Sequence, residues 1–418
     1  MAEPTHARSV ARPAPAPVRR FRSLDGLRGV AALVVLVHHV ALTSPTVGSM
    51  FIDPDAHDFT AVERAWLFSP LYALWAGREA VLLFFVLSGF VLAIRSARGG
   101  HESWRSYYPR RLVRLYVPAL ASLLLAYASV RLVARTVIPG ASVWLNEMHA
   151  EAGNTVGDLV RGSTLLVYAG GLNTPLWSLR WEVLFSLLLP VYLVLANRLR
   201  RWALPIAAGF VVLTVLGSAT GLLQGTLMYM PVFGVGVALA YASPRLEAWA
   251  SRVTRAGWWA LGVTGLVLFV AQGLLGALVA TPSVVAPYGA GLAVVGSALL
   301  VAVAAWCPAA ERVLTTRLLA RAGLVSFSLY LTHEPLAVSV AYALGGDAPL
   351  WLVMVIVVPT ALVLGDVFFR LVERPSHALS RVVGAWFERG AAAPAAAAVV
   401  EEDPDELALA TGPGGPRA

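Results

Sequence analysis

Apolar runs about as long as a bilayer is thick recur along this chain, and that recurrence limits its fold more than any other feature. A hydrocarbon core of roughly 30 Å takes about 20 helical residues to cross. In lipid each backbone amide must find its partner within the segment or barrel, so runs of this kind span as helices. Ten are apparent, near 24–43, 77–96, 117–137, 175–196, 203–221, 226–242, 257–279, 286–306, 324–344 and 349–370. The fifth and sixth are the least marked, because only "GLLQGTLMYM" parts them. Composition agrees, with 58% hydrophobic and 13% charged residues and a mean hydropathy of +0.71, above the usual range of water-soluble chains. The expected fold is all-α: a polytopic integral membrane helical bundle of about ten transmembrane helices.

The basic residues test that count independently. All 32 are arginine. With ten spans and the N-terminus in the cytoplasm, 26 of the 32 fall on inner segments, and only Arg64, Arg78, Arg131, Arg135, Arg161 and Arg180 fall on the outer side. The positive-inside rule then puts both termini in the cytoplasm and the protein in the cell membrane. The net charge of +8 is explained by short loops lying against an anionic leaflet, so no nucleic-acid partner is expected. Cys307 is the single cysteine, so neither an internal disulfide nor a cysteine metal cluster is available, and no metal is expected. The first residues, with "ARPAPAPVRRFR", lack the apolar core of a cleavable signal. They read as a disordered basic tail over 1–21, ahead of a membrane domain over 22–376. An Ala/Pro-rich acidic tail, largely disordered, is expected over 377–418. The loop near 138–174 has room for a short lid at most.

Ionisable groups inside spans are costly and point to function. In "LRGVAALVVLVHH", Arg28 and His39 are eleven apart and fall within about 20° of each other on one helical face. Asp25 joins that stripe and can pair with Arg28, whereas His38 points elsewhere. Anchoring and backbone bonding explain any one of these residues equally well; their alignment favours function. The second span carries "VLLFFVLSGFVLAIR", in which Ser88 and Gly89 allow close approach of a helix or a ligand. In "WRSYYPRRLVRLYVP", Arg110, Arg111 and Arg114 suit either phosphate oxygens or lipid headgroups. Glu182 lies inside the fourth span with Ser178 one turn away, and a carboxylate there must be paired or protonated. His333 and Glu334 sit mid-span in "SFSLYLTHEPLA", where Pro335 frees a carbonyl one turn back. At Glu373 and Arg374, in "LVERP", helix capping is the expected role.

Taken in order, "LDGLRGVAALVVLVHH", "LFFVLSGF", "RRLVRLYVP", "PLWSLRWEVLF", "SFSLYLTHEP" and "LVERP" resemble the acyltransferase 3 family of membrane O-acyltransferases. The resemblance runs from about 22 to 376. It implies transfer of an acyl group, usually acetyl, from acyl-coenzyme A to a hydroxyl of a carbohydrate, cell-surface glycan or secondary metabolite. The acyl-CoA is a co-substrate, with no permanently bound cofactor. The family's arginine and histidine fall on Arg28 and His39, its glutamate on Glu182, its later histidine on His333, and its arginine cluster on Arg110, Arg111 and Arg114. The chain departs from the pattern at Ala80 and Leu82, adds Arg78 and Glu79 nearby, and has Ser186 where a tyrosine is common.

Both lines of reasoning lead to one expectation. His39 acts as general base, with Glu182 or Glu334 behind it to steer the imidazole. The arginines hold the donor phosphates, and His333, Ser88, Ser178 and Glu334 are candidate oxyanion or acceptor contacts. The alternative is a multispan transporter or exporter that uses the buried His and Glu residues as a proton relay.

Overall fold

The computed structural model describes residues 21–389 except 54, 56–59, 62, 64–67, 151–154, 167–171, 277 and 280. Most of the two expected tails, 1–20 and 390–418, and Arg64 therefore lie outside the described residues. Among the described residues the regular structure is helical, and the helices that matter here begin with α1 (Arg22–Ala41), α2 (Gly77–Ala97), α3 (Trp104–Leu132), a short α4 (Val143–His149), α5 (Leu176–Arg198), α6 (Ala203–Thr220) and α7 (Thr226–Ala250). There follow α8 (Arg255–Phe269), α9 (Ala286–Trp306), α10 (Arg317–Leu324), α11 (Ser326–Ala343), α12 (Leu350–Phe368) and α13 (Arg374–Arg389).

Among the described residues, eight helices are long and apolar enough to cross a membrane, against the ten expected. The two that fall short are α8, with 15 residues, and α11. The second shortfall has a physical reason. Thr332, His333, Glu334 and Pro335 lower the hydropathy of α11, and all four are buried inside the protein. A helix surrounded by other helices needs no lipid-compatible surface. By contrast, α6 presents Leu204, Val212, Leu213 and Leu216 outward, as a lipid-facing helix does.

Small residues set the closest contacts. A Cβ on Gly89 of α2 would lie 2.1 Å from the Phe233 carbonyl oxygen of α7, and one on Gly236 would lie 2.1 Å from that of Val86. The two backbones therefore touch, and larger residues would drive them apart. Gly89 thus serves helix contact while Ser88 beside it faces a cavity. Gly29 and Gly323 likewise seat α10 on the first turns of α1, a Cβ on Gly29 falling 2.5 Å from the Gly323 nitrogen.

Two stretches differ from expectation. The arginine cluster and the third apolar run form one helix, α3, of 29 residues, with Pro109 and Pro118 inside it. After α12 a π-helical turn over Phe369–Glu373 leads directly into α13. That helix continues through Arg389, where the tail had been expected from 377, and it packs along α3.

Candidate active site

Two polar regions lie inside the bundle, with a histidine pair between them. The first is a cavity of about 830 Å³ bounded by α1, α2, α3, α5, α10, α11 and α13. Positions along α1, α5 and α11 order its lining by depth. Arg22, Arg317 and Arg381 are at its mouth, with Arg28 and Arg114 further in. Ser88, Arg111 and Glu182 follow, and Phe84, Ser178 and Tyr330 form the closed end. Seven arginines line this basin against the carboxylates Asp25, Glu182 and Glu373, an excess of positive charge that suits an anionic ligand.

Its polar groups divide into committed and unused ones. Glu182 accepts from Arg111 and, at 2.6 Å, from Ser88 Oγ. Arg111 Nε also donates to Ser186 Oγ at 3.0 Å, so the serine at the departure from the family pattern helps to fix this arginine. Arg110 folds back onto Ser106, and Arg28 approaches Asp25 at 3.8 Å. Arg114, Arg317 and Arg381 make no hydrogen bond or ion pair with other described residues. Guanidinium forks left open in an electropositive cavity match the oxygens of phosphate groups.

At the closed end Tyr330 Oη and Ser178 Oγ lie 2.7 Å apart, and each also reaches the Pro175 carbonyl. One turn further along α11 is His333, whose ring centroid is 5.9 Å from that of Tyr330. His333 Nε2 lies 3.1 Å from His39 Nδ1. The hydrogen-bond partners fix the proton positions of this pair. A carbonyl only accepts, so His333 Nδ1, 2.9 Å from the Leu329 carbonyl, carries its proton and leaves Nε2 as an acceptor. His39 Nδ1, 3.0 Å from the Val35 carbonyl, is then the donor to both partners. When neutral, His39 therefore holds its lone pair on Nε2. His39 is half-buried and does not line the basin.

His38 differs in each respect. It is buried, its Nδ1 donates to the Trp75 carbonyl at 3.0 Å, and its ring packs over Gly77.

The second polar region lies beyond the pair, away from the basin. Glu334 is fully buried; its Oε1 accepts from Thr174 Oγ1 at 3.1 Å and lies 3.1 Å from His149 Nε2. The His149 contact is within ion-pair range. Glu334 also interacts electrostatically with His39 and with Arg135, which is buried just past the end of α3. The carbonyl that Pro335 frees, that of Leu331, accepts from Asn173 Nδ2 at 2.9 Å.

The structure therefore gathers the expected residues into two groups. Arg28, Ser88, Arg110, Arg111, Arg114, Ser178 and Glu182 share the basin, while His39, His333 and Glu334 lie past its closed end. Glu182 does not stand behind His39, because its partners are Arg111 and Ser88. Glu334 is near His39, but its carboxylate bonds Thr174 and faces His149. The direct partner of His39 is His333. Sequence reasoning missed Arg317, His377 and Arg381 in the basin, and Arg135, His149 and Asn173 beyond the pair. The spacing of Arg374, His377 and Arg381 along one helical stripe could have pointed to α13. His149, at the end of the seven-residue α4, carried no such signal.

A family model described as an acyltransferase domain matches residues 21–370. Acyltransferase MdmB of Streptomyces mycarofaciens is 34% identical over 194 residues, covering 45% of this chain and 44% of that relative. The chain thus spans less than half the length of the curated relative it matches. No solved structure matches the chain.

Proposed function

The chain belongs to the acyltransferase-domain family, and from that premise we propose that it is an acyltransferase that moves an acyl group from acyl-coenzyme A to a hydroxyl on a carbohydrate, glycan or secondary metabolite. The observation that carries this reading is the arginine basin ending one helical turn from a histidine pair whose free lone pair is on His39 Nε2.

Arg114, Arg317 and Arg381, with Arg28, hold the donor's phosphates, and the pantetheine arm runs inward past Ser88. The thioester lies at Tyr330 and Ser178, whose hydroxyls supply hydrogen bonds to the developing oxyanion. Because the basin closes there against Phe84, a short acyl group such as acetyl is favoured. His39 Nε2 takes the proton of the acceptor hydroxyl as its oxygen attacks the thioester carbonyl. The tetrahedral adduct collapses, the C–S bond breaks, and the thiolate leaves with the proton that His39 had taken. His333 holds the His39 tautomer throughout. The basin face is cytoplasmic in this reading, with ten membrane crossings, α8 and α11 included, and both termini inside the cell membrane.

Membranes containing the protein are to be incubated with acetyl-coenzyme A carrying label in the acetyl group. Label passing to a base-labile ester, and absent with His39→Ala, supports the reading. A stable labelled protein formed with donor alone would replace direct transfer by an acyl-enzyme route, and no transfer at all from the wild type would sink the proposal.

A further inference from the structure

The polar cluster beyond the histidine pair is built to hold something. Arg135, His149, Asn173 and Glu334 are each no more than 4% exposed. Yet among the described residues Arg135 Nε and Nη1, His149 Nδ1, Asn173 Oδ1 and Glu334 Oε2 have no hydrogen-bond partner, while His149 Nε2 meets only Glu334 Oε1. Buried polar atoms are rarely left in this condition, since each has given up water without replacing it. Here they occur together, drawn from the end of α3, from α4, from the residues before α5 and from α11. They also alternate in kind, with guanidinium donors, an amide oxygen, a carboxylate oxygen and imidazole nitrogens of either character.

Two more observations tie the cluster to the reacting centre. The Trp144 ring lies 6.1 Å from that of His39 and 4.5 Å from that of His149, so one aromatic ring neighbours both. His39 keeps part of its surface accessible and is not among the residues that line the basin. Charge separates this region from the basin. One arginine faces one glutamate, so the cluster offers no net field for an anion. An aromatic face beside mixed donors and acceptors of balanced charge is the chemistry that recognises a sugar ring.

Resting on the acyl-transfer reading above, we propose that Arg135, His149, Asn173 and Glu334 form the acceptor subsite. It takes a neutral, hydroxyl-rich molecule that reaches His39 from the face opposite the arginine basin. Donor and acceptor then enter from opposite sides and meet at His39.

The test uses the full-length protein in sealed membrane vesicles, with labelled acetyl-coenzyme A supplied only at the basin face. Asn173 is left intact because it satisfies the Leu331 carbonyl; Arg135→Gln and His149→Gln are compared with wild type. Expected are a labelled, base-labile ester at the opposite face in wild type and a drop of about tenfold or more in each variant, the size of a lost hydrogen bond to substrate. Binding of labelled acetyl-coenzyme A, measured separately by equilibrium dialysis, should stay within about twofold of wild type, which also certifies that the variants fold. Variants that transfer label at the wild-type rate, or that lose donor binding together with transfer, would overturn the subsite. Ester found only at the basin face would overturn the direction of approach. A wild type that transfers no label removes the acyl-transfer reading itself, an outcome distinct from the other two.

Discussion

The arginine basin and the cluster around Glu334 flank one histidine pair, and they differ in charge, in openness and in the use of their polar atoms. The basin is wide and strongly positive, and its inner carboxylate is tied to Arg111 and Ser88. The cluster around Glu334 is buried and balanced in charge, and its central carboxylate meets a histidine and a threonine. A field of unpaired guanidinium groups attracts phosphate from a distance and tolerates flexible docking. Balanced, buried donors and acceptors give little attraction at range but strong discrimination on contact. One compartment is thus suited to capturing a common donor, the other to selecting a particular acceptor.

The contrast depends on His39 being the point where the compartments meet, and removing it should have the largest effect. His39→Ala is expected to lower the transfer rate by roughly 10³-fold, within the span usual for a general base. His38→Ala should cost only a few-fold at most, because that ring serves the Trp75 carbonyl and the packing at Gly77. Steady-state rates with labelled donor compare the two. A larger loss from His38 would place the reacting centre on the wrong side of α1.

Next comes the partner that sets the tautomer. With His333→Ala, His39 Nδ1 keeps only the Val35 carbonyl, and the ring loses the neighbour that fixes its plane. A fall of about a hundredfold in kcat with little change in donor KM is expected. If KM rose in its place, His333 would belong to the donor compartment.

The basin itself should respond differently. Arg114→Gln removes an unused guanidinium deep in the cavity, and the KM for acyl-coenzyme A should rise about tenfold, as for loss of a charge-assisted hydrogen bond. Added salt should weaken donor binding in the wild type by more than in the variant. Equal salt sensitivity would mean that Arg114 does not meet a phosphate.

The parts of this arrangement that were legible in the sequence were those with regular spacing. Arg28 and His39 lie eleven residues apart on one helix, and the apolar runs located most helices to within a few residues. The pairing of His39 with His333 joins α1 to α11, across 294 positions of the chain, and no local pattern encodes such a contact. Glu182 illustrates the same limit. Its depth in the span was readable, but whether it stood behind a histidine or an arginine depended on how α5 meets α3. The α11 segment was read as a span from its apolar flanks, but its polar centre leaves it short of that apolarity, and neighbouring helices enclose that centre. His149 lies on a short helix of seven residues, too short for a periodic signal to single it out.

The smallest predicted effect concerns the wall between the compartments, and it tests their separation most directly. Tyr330 closes the basin through its ring, which faces Phe84 at 5.8 Å and His333 at 5.9 Å, and its hydroxyl is held by Ser178 and Pro175. If that ring keeps the thioester from water and from His39 until an acceptor is in place, its removal should let water act as the acceptor. Tyr330→Ala is therefore expected to raise donor hydrolysis in the absence of acceptor by about fivefold, read as release of free thiol from acetyl-coenzyme A. Tyr330→Phe retains the ring and loses only the hydroxyl, so its hydrolysis should stay near the wild-type rate while transfer falls through the lost oxyanion contact. Increased hydrolysis in both variants would assign the seal to the hydroxyl and its bond to Ser178. Unchanged hydrolysis in Tyr330→Ala would mean that the basin and the histidine pair are divided elsewhere, with Phe84 as the next residue to remove.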